Sequence, residues 1–171
     1  SNYVGWGGLS DVFDANKQNW TEEYNELKEL LTDAEYKAAR ESVLNAHFTQ
    51  PVIIESIYKA LEQMGFRNGN VLEPSMGIGN FFGVMPESMR GSKLYGVELD
   101  DISGRIARQL YPDAEIQITG YENSGYPDDF FDVAVGNVPF GNYQIYDRRY
   151  ERQHFMIHDY FLAKTLDQLR S

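Results

Sequence analysis

The sequence predicts an α/β fold, with about four parallel strands in one sheet, helices on its faces and a small helical cap in front. Three observations carry this reading. From residue 48 onward, short apolar runs alternate with stretches at helical spacing, the pattern of βαβ units and parallel pairing. The residues that a core does not need fall just after each apolar run, where open α/β sheets collect ligands. A chain of 171 residues, 42% of them hydrophobic, is of a size for one ordinary core and not for two.

The elements follow in order. After the glycine-rich, aromatic "YVGWGGLSDVFD", the stretches "TEEYNELKELL" and "TDAEYKAARESVLNAHF" place apolar residues at helical spacing. Thr32 with Glu35 fits a capping box for the second of them. These helices form the cap, residues 1–46. Pro51 opens a helix, "PVIIESIYKALEQM", which Gly65 closes. "NVLEPS" is a short buried strand, followed by a glycine loop and short helix, "MGIGNFFGVM". "KLYGVELD" is the second strand, "ISGRIARQLY" a helix stopped by Pro112, "AEIQITG" the third strand and "FFDVAVGN" the fourth. The helix "MIHDYFLAKTLDQL" closes the series, so that residues 47–171 form the α/β unit.

Composition narrows the function. No run of 18 apolar residues and no signal-peptide pattern occurs, so neither a membrane span nor export is expected and a cytoplasmic setting is. With no cysteine there is neither disulfide nor thiolate chemistry. The net charge is −11, with 4 basic against 9 acidic residues in 1–46 and 11 against 17 in 47–171. Neither part is a basic module, so a polynucleotide partner would have to be gripped mostly by regions outside this chain.

The strand ends hold the chemistry. In "LEPSMGIGNFFG", Gly77 and Gly79 permit a tight turn and close approach of backbone to ligand. A nicotinamide fingerprint is not met, because Glu73-Pro74-Ser75 intervenes and Gly83 falls one place late. An acid at that strand tip repels a pyrophosphate and suits a cofactor carrying an ammonium and a sulfonium. Glu98, 25 residues after Glu73 in "GVELD", can accept both hydroxyls of a ribose; a solvated strand end is the alternative for Glu98 and Asp100. In "TGYENSGYPDDF", Glu122 or a nearby amide could meet an adenine, or the segment is a surface turn. In "FDVAVGNVPFGN", the Asn137 side-chain oxygen and the next backbone carbonyl are two acceptors matched to the two N–H donors of an exocyclic amine. Phe140 supplies a stacking face, worth roughly 1–3 kcal/mol in such contacts, and Pro139 stiffens the turn.

Together "LEPSMGIGNFF", "GVELD" and "GNVPF", in this order and spacing, resemble the S-adenosylmethionine-dependent N6-adenine DNA methyltransferases of the γ arrangement, and "HFTQP" is similar to their additional cofactor motif. The similarity extends to methylase domains in large helicase-linked proteins of phages and conjugative elements, including the "YVGWGGL" opening. The resemblance implies a Rossmann-like methyltransferase sheet, S-adenosylmethionine as cofactor, DNA as partner and possible fusion to a helicase. It places Gly77 and Gly79 under the methionine portion, Glu73 near its ammonium, Thr49 at its carboxylate, Glu98 at the ribose and Leu99 on the adenine; Pro74, Ser75, Glu122 and Asn137 are also expected among the cofactor-binding residues. Asn137, Val138, Pro139 and Phe140 form the catalytic loop that receives the target base. Val138 departs from the Asn-Pro-Pro-Phe form, but the chemistry uses its backbone carbonyl, which any residue supplies.

Methyl transfer to the N6 amine implies a base taken out of its stack, and the missing cysteine nucleophile excludes methylation at cytosine C5 by this chain. Since sheets of this class resemble seven-stranded structures, further strands and a target-recognition domain are expected outside these 171 residues, and activity of this piece alone is left open. An inactive cofactor-binding module of a DNA-processing assembly, or an acceptor such as RNA adenine or a protein glutamine amide, are the alternatives. His154 and His158, at i, i+4, would share a helix face, but with no third ligand evident no metal site is expected. Arg148, Arg149 and Arg152 form the basic cluster, as solvated loop charge or as a phosphate contact beside the base. Trp6 and Gly7-Gly8 are expected to pack the cap on the sheet.

Overall fold

The structure is a computed structural model that describes residue 6 and residues 9–43 and 49–171. The cap contains helices α1 (Thr21–Leu30) and α2 (Asp33–Ser42). The remainder runs α3 (Pro51–Gln63), β1 (Asn70–Glu73), α4 (Asn80–Val84), β2 (Lys93–Glu98), α5 (Asp101–Leu110), β3 (Glu115–Ile118), β4 (Val133–Ala134) and α6 (Ile157–Gln168).

The helix ends follow from local chemistry. Glu35 N–H donates to Thr32 Oγ1 at 3.3 Å and Thr32 N–H to Glu35 Oε2 at 3.0 Å, closing the expected capping box on α2. Pro51 occupies the first turn of α3, where its missing N–H costs nothing. Gly65, at φ +93°, turns the chain out of that helix. Asp100 caps α5 by accepting from the Ser103 amide at 2.9 Å and its hydroxyl at 2.6 Å.

All four strands are parallel, in the order β3-β2-β1-β4. The chain builds outward from β1 through β2 to β3, then crosses back to place β4 on the other side of β1. The topological switch point therefore lies between β1 and β4, with Glu73 and Asn137 just beyond it. Alternation along β1 sends Val71 into the apolar cluster beneath α3 and α4 with Ile54, Tyr58 and Phe81, while Leu72 joins the opposite cluster with Phe131, Tyr160 and Phe161. Burying each such side chain contributes about 1.5–3 kcal/mol.

Two expectations change. The run 130–137 is not one strand: the main-sheet ladder spans only Asp132 to Val135, with Asp132 N–H donating to Asn70 O and Val135 N–H to Leu72 O, both at 2.9 Å. Phe131 instead pairs on its other side with Leu169, because its amide and carbonyl are taken by Gln168 and Arg170. His154 is not on a helix with His158: it sits at φ +51° after a short turn, and α6 begins at Ile157, so the two imidazoles do not share a helical face. The Trp6 ring meets Phe13 edge-on inside the cap, at 5.5 Å; Gly7, Gly8, His47 and Phe48 lie outside the described residues. The cap has its own apolar cluster, including Phe13, Tyr36 and Ala39, and Arg105 of α5 reaches Glu35 of α2 at 3.1 Å. Among the described residues no helix is long and apolar enough to cross a membrane.

Candidate active site

A cavity of about 260 Å³ opens at the switch point. It collects the strand ends: Glu73, Pro74, Ser75 and Gly77 after β1, Glu98 and Leu99 after β2, Glu122 after β3, and Asn137 and Pro139 after β4, with Thr49 arriving ahead of α3. Ten of the residues expected at the site thus line one cavity. Gly79, Val138 and Phe140 do not.

Gly79, at φ +82°, turns toward the protein: a Cβ there would sit 2.5 Å from Tyr111 Cε2, and the Tyr111 hydroxyl donates to Gly79 O at 2.7 Å. Gly77, at φ +57°, has none of the described residues within 4 Å of where a Cβ would be. The two glycines therefore differ in purpose, Gly77 fronting the cavity and Gly79 admitting the Tyr111 ring. Val138 packs partly buried against the α6-side cluster. Phe140 is 59% exposed and stacks on His158, with centroids 5.7 Å apart and rings at 26°.

The carboxylates define the electrostatics. Glu73 is 2% exposed, and among the described residues its Oε2 has no hydrogen-bond partner. Burial, with the neighbouring Glu98 carboxylate, holds its carboxyl well above the usual range, offset in part by the Phe81 amide. Glu98 accepts from the Gly77 amide through Oε2 and from the Asp100 amide through Oε1, both at 2.7 Å. Burial nevertheless pushes it up to about 7 against those two bonds. Each Glu98 oxygen keeps a second lone pair for a ligand hydroxyl.

Four acids, Glu73, Glu98, Asp100 and Glu122, line this cavity. A cationic group placed here would favour the ionised forms of Glu73 and Glu98, whose carboxyls burial raises, and a pyrophosphate would oppose them. Leu99, 55% exposed, presents an apolar side chain at the rim.

Ser75 does more than line the cavity. Its hydroxyl donates to the Asn137 main-chain carbonyl at 2.7 Å, tying the loop after β1 to the loop after β4 across the switch point. Lys164 Nζ donates to the carbonyls of Tyr121 at 2.7 Å and Glu122 at 3.3 Å and lies 3.6 Å from Asp147, fixing the cavity wall after β3 from α6.

Sequence reasoning missed Asp100, Tyr143 and Ile145 as lining residues. The Asp-x-x-Ser spacing of a helix cap was a signal for Asp100; Tyr143 and Ile145 belong to a loop whose course depends on distant contacts and had none.

The sheet order and the placement of this cavity are those of a Rossmann-like α/β fold. Solved structures agree on the fold. The chain superposes on a Methanococcus maripaludis protein assigned to S-adenosylmethionine-dependent methyltransferases with a TM-score of 0.52 at 12% identity, covering 100% of this chain and 63% of that one. The plantazolicin methyltransferase BpumL, solved with S-adenosylhomocysteine, gives 0.52 at 12% identity over 95% of this chain and 53% of its own. In sequence, the chain is 33% identical over 132 residues to the defense against restriction protein B of Escherichia phage P1, a match covering 74% of this chain. The chain spans 6% of the length of that phage relative. No protein-family model matches it.

Proposed function

We propose that this chain is the cofactor-binding and catalytic part of an S-adenosylmethionine-dependent methyltransferase acting on the N6 amine of adenine in DNA, within a larger protein. The observation that carries the reading is the placement of Asn137. β4 brings it to the same cavity as Glu73, Gly77 and Glu98, and Ser75 pins its peptide there. The name of the phage relative, defense against restriction, fits a modification of DNA.

S-adenosylmethionine, when bound, supplies an electrophilic methyl on a sulfonium. Glu73 would receive its ammonium, Thr49 its carboxylate, Glu98 the ribose hydroxyls, and Leu99 and Glu122 would flank its adenine. The Asn137 side-chain oxygen and the Val138 carbonyl would accept the two N–H groups of the target amine. That withdraws the nitrogen lone pair from the ring and directs it at the methyl. Phe140, backed by His158, presents its exposed face to the base, and one amine proton is shed to solvent after transfer.

Two measurements test the reading. Calorimetric titration should show S-adenosylmethionine binding to the wild-type chain and binding retained in Asn137→Ala. In the full-length protein, methyl transfer should depend on Asn137, with adenine-containing DNA competing better than RNA or a glutamine-bearing peptide. Cofactor binding without Asn137-dependent transfer would leave a structural module; preference for RNA or peptide would change the acceptor.

A further inference from the structure

The segment after the Asn137 loop is a compact loop closed on itself. The Ile157 amide donates to Tyr143 O at 3.0 Å, and Gln144 Nε2 donates to His154 O at 2.8 Å, so its two ends meet. Its polar groups anchor it inward. Asp147 accepts from the Tyr160 hydroxyl at 2.7 Å and lies beside Lys164, and the Tyr150 hydroxyl donates to Asp167 at 2.6 Å. Arg149 is consumed in the same way, bonded to Asp128 at 2.6 Å and Asp167 at 3.0 Å.

What remains outward differs in character. Tyr146 is 73% exposed. Arg148 and Arg152 are exposed and, among the described residues, make no ion pair. The loop's opposing charge is Glu151, since Asp147 is tied to Tyr160 and Lys164. Tyr143 and Ile145 of this same loop line the cavity with Asn137. Arg148 follows Ile145 by three positions, at most about 11 Å of extended chain, which keeps its backbone close to the cavity that Ile145 shares with Asn137.

We propose that this loop grips the nucleic-acid strand flanking the target adenine, with Arg148 and Arg152 contacting backbone phosphates and Tyr146 stacking on a neighbouring base; this rests on the nucleobase-methylation reading above. In a chain of net charge −11, an internally bonded loop with two exposed guanidiniums and an exposed ring beside the cavity has the composition of a single-strand platform. The shared chemistry is a sugar-phosphate strand, DNA or RNA.

The test is fluorescence anisotropy of the wild-type chain, with S-adenosylhomocysteine present, on short labelled DNA and RNA strands of one sequence with a central adenine, across a salt series. The double variant Arg148→Ala/Arg152→Ala should bind roughly 5- to 20-fold more weakly. Its slope of log affinity against log salt should fall by about 1.4, at ~0.7 per single-strand phosphate contact. Arg148→Lys/Arg152→Lys should keep the slope, since an ammonium still meets phosphate. Tyr146→Ala should weaken binding roughly 5- to 100-fold with the slope unchanged. The DNA and RNA arms tell which strand is preferred. An unmoved slope in the alanine double variant, or no binding of the wild-type chain even at low salt, overturns the proposal. Cofactor titration and Asn137-dependent transfer report separately on the underlying reading, so either can fail without the other.

Discussion

Replacing Glu98 by Gln should flatten the pH dependence of the unliganded protein's stability. In the folded chain burial raises the Glu98 carboxyl to about 7 from an ordinary 4.5. A carboxyl raised by folding contributes its full stability below its unfolded value, and that contribution is lost as pH rises through the folded one. Between pH 5 and pH 8 the loss from Glu98 works out at about 2–3 kcal/mol, and Glu73, raised in the same direction, adds to it. For a domain of this size that is a fall of roughly 5–10 °C in melting temperature. In Glu98→Gln the amide nitrogen meets one of the two backbone N–H groups that the carboxylate accepted, from Gly77 and Asp100, which lowers stability by an amount independent of pH. The readout is therefore the difference between the two pH profiles, from urea or thermal unfolding at pH 5, 6, 7 and 8. Wild type should lose stability relative to Glu98→Gln as pH rises; parallel profiles would refute a strained, ligand-seeking carboxylate at this position.

Gly79→Ala should cost about 2–4 kcal/mol of stability, since its Cβ would lie 2.5 Å from Tyr111 in addition to the positive φ, and thermal unfolding would show it. Gly77→Ala, with none of the described residues within 4 Å of the added carbon, should cost only about 1–2 kcal/mol and act mainly on calorimetric affinity for S-adenosylmethionine. Ser75→Ala, which frees the Asn137 peptide, should lower the methyl-transfer rate of the full-length protein roughly 5-fold at saturating S-adenosylmethionine, for loss of about 1 kcal/mol of positioning. Lys164→Met should destabilise the fold by about 3 kcal/mol, because Asp147 and the carbonyls of Tyr121 and Glu122 lose a buried partner together.

The legible parts of this molecule were the local ones. The capping box at Thr32 and Glu35, Pro51 at a helix start and Gly65 past its end each act within one turn of chain, so spacing alone reveals them. The strand-end residues were legible because parallel sheets bring such ends together, which is why Glu73, Glu98 and Asn137 share one cavity. What escaped depends on contacts distant in sequence. Phe131 looked like the interior of a strand, yet its partners are Gln168, Leu169 and Arg170. His154 and His158 had helical spacing, but the helix starts at Ile157. Gly79 read as part of a ligand loop, whereas the ring that demands it belongs to Tyr111, 32 residues further on. The role of Ser75 depends on a bond to Asn137 across the switch point.

The central claim is that Asn137, held at the switch-point cavity, directs an adenine amine at a methyl donor. It is tested most directly by incubating the full-length protein with S-adenosylmethionine and adenine-containing DNA and measuring N6-methyladenine by mass spectrometry, for wild type and Asn137→Ala. The account predicts N6-methyladenine from the wild type and a loss of about 100-fold or more in the variant, the scale of removing a transition-state hydrogen-bonding group. Methylation that persists in Asn137→Ala, or none from a wild-type protein shown to bind the cofactor, would contradict it.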